Sequence, residues 1–114
     1  MTINLEYPYM TEKSSLQEIE TRFDNDVERF SNLDTGQLTT LDAKFNMDLI
    51  VEGIVCCYPN LKCVLDIGCG AGNYSVRLLQ EISPVDIVLS DLSQPMLDKA
   101  KERVEALNPN GQVE

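Results

Sequence analysis

Histidine is absent from the 114 residues. Its absence removes the side chain most often used as a general base near neutral pH, and with it every Ser-His-Asp or Cys-His nucleophile pair. Basic residues are scarce: 9 Lys and Arg stand against 19 Asp and Glu, a formal net charge of −10. That sign opposes what neutralising nucleic-acid phosphates or an anionic membrane requires, so neither is favoured as a partner. No apolar run is long enough to span a bilayer, and the start Met1-Thr2-Ile3-Asn4-Leu5-Glu6 lacks the basic residues and apolar stretch of a secretory leader. Both absences point to a cytoplasmic protein. The four cysteines, Cys56, Cys57, Cys63 and Cys69, form no C-x-x-C pair. With no histidine to join them they predict neither a metal site nor a disulfide framework, but reduced and mostly buried thiols.

What is present is ordinary folding capacity. Hydrophobic residues make up 43% and charged residues 25% of the chain, the composition of one soluble globular domain. Residues 1–60 hold 11 of the acidic and 4 of the basic side chains, so the first half supplies most of the negative field.

Two halves differ in periodicity. Ser15-Leu16-Gln17-Glu18 has the S-x-x-E form of a capping box and predicts a helix start. Leu16, Ile19, Phe23, Val27 and Phe30 then recur every three or four residues, one apolar stripe on a single helix ending near Ser31. The stripe reads as packing surface. The stretch from Ser31 to Gln37 has loop composition, and a second helix follows with Leu41, Phe45, Leu49, Ile50, Ile54 and Val55 on one broad face, stopped by Pro59-Asn60. Tyr7, Pro8 and Tyr9 fall in an N-terminal arm expected to be unstructured.

From Lys62 the pattern changes to short apolar runs between turns. Cys63 to Ile67 reads as a buried strand, Asn73 to Ile82 as a helix broken at Ser83-Pro84, and Val85 to Ser90 as a second strand. Ser93-Gln94-Pro95 opens another helix carrying Met96, Leu97, Ala100, Val104 and Leu107, which Asn108-Pro109-Asn110-Gly111 ends. Gln112-Val113-Glu114 begins a third strand. Strand, helix, strand, helix at this spacing implies parallel pairing through a right-handed crossover.

The chemistry centres on Asp66-Ile67-Gly68-Cys69-Gly70-Ala71-Gly72, a glycine-rich turn between a strand and a helix. Glycine permits positive φ and lets a ligand approach the backbone where a Cβ would collide. The context is that of a nucleotide-type site at the carboxyl end of a parallel strand. Asp91 follows the second strand, where a carboxylate in such folds accepts from ribose hydroxyls; a carboxylate capping the next helix would look the same. A phosphate-binding P-loop needs a Lys after its last glycine, and none follows before Lys99. A dinucleotide turn needs G-x-G-x-x-G, and here the third glycine comes one residue early. Asp66 also stands where it would repel a pyrophosphate yet attract a cationic ligand. Cys69 lies near a helix N-terminus, a place that can activate a thiol; the plainer role is a small side chain in a crowded loop.

These residues resemble the class I, Rossmann-like S-adenosylmethionine-dependent methyltransferases. The family's acid-x-G-x-G-x-G motif is matched by Asp66 to Gly72, its next acidic position by Asp91, and its acid-x-S-x-x-M-L-x-x-A run by Asp91 to Ala100. The resemblance covers residues 62 to 107. It implies an α/β fold with a Rossmann-like parallel sheet, preceded by two N-terminal helices: residues 1–60 as a helical segment and 61–114 as the start of the cofactor-binding domain. It implies S-adenosylmethionine as cofactor. Asp66 would hold the amino end of its methionine moiety, Gly68, Cys69 and Gly70 would pass beneath it, and Gly72 would be a further cofactor-binding residue. Asp91 would bind the ribose, and Leu92 and Met96 would flank the adenosine. Asn46 is a substrate-side candidate on the second helix. The acceptor is expected to be a small molecule, given the charge. A cofactor-binding module without transfer activity, a tRNA-modifying relative and, remotely, an NAD-dependent oxidoreductase are the alternatives. The family's sheet has seven strands and only two plus a stub are countable here. The sequence therefore leads us to expect a fragment, or a chain that associates with another copy through an exposed sheet edge.

Overall fold

The computed structural model describes residues 13–32 and 42–114. The Tyr7-Pro8-Tyr9 arm, most of the expected loop up to Gln37, and Leu41 lie outside the described residues. The rest forms α1 (Leu16–Asn25), α2 (Val27–Ser31), α3 (Ala43–Cys57), β1 (Cys63–Ile67), α4 (Asn73–Glu81), β2 (Asp86–Ser90) and α5 (Gln94–Leu107).

The capping box forms as the sequence predicts. The Glu18 N–H donates to Ser15 Oγ at 3.2 Å and the Ser15 N–H donates to Glu18 Oε2 at 2.7 Å. That backbone donor holds the Glu18 carboxyl below its ordinary range. The single helix expected from Ser15 to Ser31 is instead two. Asp26, at φ −106° and ψ 11°, ends α1 and precedes α2. Asn25-Asp26 is a pair that competes with helix through local turns, and here the competition wins.

α3 forms where expected but turns a different face inward. Met47 and Val51 are its buried residues, while Phe45, Leu49 and Ile50 are exposed. The helix is apolar around much of its circumference, so periodicity alone did not select a face. Arg77 ties it to α4, donating from Nε to Asp48 Oδ1 at 2.7 Å and from Nη1 to Glu81 Oε1 at 2.6 Å.

β1 and β2 pair in parallel, with Cys63 opposite Asp86 and Ile67 opposite Ser90. The third strand begins as expected: Val113 bridges Ile87 in parallel, and the Leu89 N–H donates to Glu114 O at 2.7 Å. β2 thus lies between β1 and this segment. One face of the sheet holds the core, in which Ile87 and Leu89 pack with Val76 and Leu79 of α4 and with Ala100 and Val104 of α5. Asn108 closes the far end, donating from Nδ2 to Val85 O and accepting from the Val85 N–H.

Among the described residues the other face is only partly covered, which corrects the expectation of a buried first strand. Leu65 is 59% and Ile67 77% exposed. Periodicity registers the apolar character of a strand but not whether a second layer covers it. The cysteines need the same correction: Cys56, Cys57 and Cys63 are exposed, and only Cys69 is buried. The first two end α3 and the third starts β1. An apolar face beside a strand edge that is unpaired among the described residues favours association. Sedimentation velocity is expected to show the wild-type chain shifting to larger species with concentration, and Ile67→Lys to reduce that shift; a concentration-independent monomer would count against it.

Candidate functional site

The parallel register decides where the site forms. Because Ile67 and Ser90 are opposite each other, the two strands end level, and Gly68 and Asp91 emerge side by side. Ser90 O accepts from both the Gly68 N–H (2.7 Å) and the Cys69 N–H (3.0 Å), so the turn begins on the end of β2. Asp91 then ties the turn to α5. Its Oδ2 accepts from the Gly70 N–H at 2.8 Å and its Oδ1 from the Ser93 N–H at 3.0 Å. Ser93 in turn caps α5 through Met96 N–H.

The three glycines all have positive φ: 68° at Gly68, 52° at Gly70 and 80° at Gly72. They do different work. A Cβ at Gly68 or Gly70 would meet nothing within 4 Å, so both border open space. A Cβ at Gly72 would lie 3.0 Å from Ala100 Cβ, which makes this the glycine that lets the turn close onto α5.

The open space is a cavity of about 430 Å³, within the size range of small-molecule sites. Gly68, Cys69, Gly70, Asp91, Leu92 and Met96 line it together, as the sequence grouped them. Asp66 and Gly72 do not line it. Asp66 accepts from Ser75 Oγ at 2.6 Å and borders a second cavity of about 180 Å³ between α3, β1 and α4. Tyr74 borders both cavities. Asn46 is exposed on α3 and lines neither.

Sequence reading missed the other wall. Phe23 of α1 and Phe30 of α2 line the larger cavity, with ring centroids 5.9 Å apart, and Asn73 and Tyr74 complete it. The stripe they belong to was legible, but a helical stripe does not reveal whether it meets a core or a cavity. No residue of α1 or α2 is fully buried.

The electrostatics are one-sided. Asp91 supplies a carboxylate at the cavity and none of the residues lining it is Lys or Arg. Burial, reinforced by Asp66 and Asp91, pushes the Cys69 thiol up to about 11 from 9.0. The thiol therefore stays protonated near neutral pH, and the small-side-chain role stands over the activated-thiol one. Because the folded state holds this proton more tightly than the unfolded chain, its stabilising contribution falls as pH rises from 9 towards 11. In a thiol-alkylation time course at pH 8, three cysteines should react in the native chain and Cys69 should stay protected; four fast thiols would contradict the burial.

Geometry and charge together fit a small ligand without strong negative charge. The two unfilled glycine positions provide close backbone approach, Leu92 and Met96 provide apolar walls, and the acidic rim without basic residues opposes a polyphosphate.

Residues 64–114 match a family model described as a methyltransferase domain. A stretch of 58 residues, 51% of this chain, is 40% identical to the mitochondrial 2-methoxy-6-polyprenyl-1,4-benzoquinol methylase of Caenorhabditis elegans. The matched stretch spans 20% of that relative's length.

Proposed function

We propose that the chain, whose residues 64–114 match a methyltransferase domain, is a class I, S-adenosylmethionine-dependent methyltransferase that binds S-adenosylmethionine beside the glycine turn for methyl transfer to a small-molecule acceptor. The observation that carries this reading is the acidic, cation-free cavity at the level carboxyl ends of two parallel strands, floored by glycines whose Cβ positions are empty. In this reading β1, α4, β2 and the Val113 pairing are the start of a Rossmann-like sheet.

Asp91 accepts from the ribose hydroxyls with the lone pairs its two backbone donors leave free. Leu92 and Met96 flank the adenosine, and the backbone of Gly68, Cys69 and Gly70 approaches the methionine moiety. Asp66 attracts the ammonium end from beside the second cavity, held in place by Ser75. Gly72 acts on the cofactor through the shape of the turn. The bound cofactor supplies an electrophilic sulfonium methyl. The chain's own contribution is to hold cofactor and acceptor in line and to exclude water, for which Phe23, Phe30 and Tyr74 form the apolar side of the cavity. Those aromatic walls suit an apolar, planar acceptor, and the quinol named for the nematode relative belongs to that class. The net charge of −10 opposes a tRNA acceptor.

Among the described residues no helix is long and apolar enough to cross a membrane. A cytoplasmic location goes with this reading, whereas the relative's name is mitochondrial. Cell fractionation separates the two.

Calorimetric titration with S-adenosylhomocysteine tests the central claim. One saturable site, undisturbed by excess NADH, is expected. A folded chain that takes up no S-adenosylhomocysteine would overturn it.

A further inference from the structure

Arg103 of α5 is a half-buried cation that none of the ion pairs among the described residues includes. Loss of water around it lowers its pKa, so its location costs stability. Its partners are neutral oxygens: Nη1 donates to Ala71 O at 2.5 Å and to Asn73 Oδ1 at 2.8 Å. Both bonds leave one nitrogen, whose two N–H groups are fixed in the guanidinium plane, so their directions are set together. With its oxygen engaged by Arg103, the Asn73 amide points its Nδ2 donor away, and that donor reaches Phe30 O at 2.8 Å. A relay therefore runs from α5 through the first residue of α4 to the end of α2.

The relay bears on the cavity at both ends. Ala71 belongs to the glycine turn, and Phe30 is the aromatic wall opposite it. A second polar anchor joins α1 to the other side of the cavity, where Ser93 Oγ donates to Asp24 Oδ1. The helices α1 and α2, bent at Asp26, thus lie across the cavity as a strap pinned at two points. Because neither helix has a fully buried residue, these polar anchors carry a large share of its attachment.

We infer that Arg103 and Asn73 are positioning residues that hold the α1–α2 strap over the cofactor cavity, so that strap docking and cofactor binding stabilise each other. The inference rests on the proposed function for the identity of the ligand. The coupling works in both directions: a ligand that touches Phe23 and Phe30 favours the docked strap, and a docked strap tightens the ligand.

Asn73→Asp is the informative variant. It keeps an acceptor for Arg103, places an acid at a helix N-terminus where it is tolerated, and removes the donor to Phe30; because it also adds a carboxylate beside Arg103 at the cavity, exchange of the free chain is the readout specific to the strap. Hydrogen exchange read by mass spectrometry on the full chain, with and without S-adenosylhomocysteine, follows residues 16–31 separately from α4 and α5. In the free wild-type chain, 16–31 is expected to exchange faster than α5 and to be slowed by the ligand. In Asn73→Asp it should exchange roughly three- to tenfold faster and the ligand should bind about three- to tenfold more weakly, with α4, α5 and the urea midpoint unchanged. Arg103→Met should likewise speed exchange over 16–31 and weaken the ligand, and Arg103→Lys should restore part. Unchanged exchange over 16–31 in Asn73→Asp overturns the inference, as does faster exchange with unaltered ligand affinity. If the wild type takes up no S-adenosylhomocysteine, the proposed function fails, and the free-chain comparison still decides whether Asn73 pins the strap.

Discussion

Asp91→Ala is expected to weaken S-adenosylhomocysteine binding by about two orders of magnitude or more. In the proposed function the carboxylate accepts from two ribose hydroxyls, and hydrogen bonds to a charged group contribute about 1.5–3 kcal/mol each. Two of them amount to roughly a hundredfold to ten-thousandfold in affinity. The same substitution releases the Gly70 and Ser93 N–H groups, which Asp91 holds at 2.8 and 3.0 Å, so the turn loosens as well. Calorimetry at a temperature where circular dichroism shows the variant folded separates the two effects. Asp91→Asn should not rescue, since its amide nitrogen would face a backbone donor. Retention of near-wild-type affinity by a folded Asp91→Ala would leave Asp91 as a helix-capping group and remove the ribose assignment.

Gly72→Ala acts on folding rather than on the ligand. The added Cβ would lie 3.0 Å from Ala100 Cβ and 3.1 Å from Ala100 Cα, at a backbone φ of 80°. The left-handed conformation costs a non-glycine residue about 1–2 kcal/mol, and forcing a methyl group into a packed contact adds about 1–3. A loss of about 2–5 kcal/mol is large against the ~5–15 kcal/mol total stability of a typical domain. Urea denaturation should show a much lower midpoint, or no cooperative transition. Adding Ala100→Gly should recover the part due to the side-chain contact and leave the part due to φ, since Ala100 Cα stays close. A Gly72→Ala chain as stable as wild type would mean that the turn does not press on α5 in this way.

The contrast between Gly72 and its neighbours marks how far the residues alone carry the reading. The three glycines look alike as letters. Their placement between an apolar strand and a capped helix was enough to announce a ligand turn, because few other needs put three positive-φ positions in five residues. Which of them faces ligand space and which faces α5 depends on the approach of Ala100, 28 positions along the chain. Asp66 poses the same problem. Its motif position was legible, yet its carboxylate meets Ser75 beside a second cavity, a contact that arises only once α4 packs on β1.

Local elements were legible for local reasons. The capping box at Ser15, the Ser93 cap with Pro95 behind it and the stop after Leu107 each depend on residues within a few positions of one another. Strand order and the crossover followed from spacing. Long-range choices were not legible. Nothing local tells α3 to bury Met47 and Val51 rather than Phe45 and Leu49, or tells β1 to leave Leu65 and Ile67 uncovered.

The chain order of motifs was therefore sufficient for the resemblance to methyltransferases, the turn and the carboxylate after β2, because those signals lie within short stretches whose chemistry is set by residue type. Tertiary structure alone decided that Phe23 and Phe30 wall the cavity, that Cys69 is a protonated packing residue, and that Arg103 reaches through Asn73 to the strap. Each of those outcomes depends on the packing of segments distant in the chain, where burial and donor geometry are created by the fold and not by any neighbour in sequence.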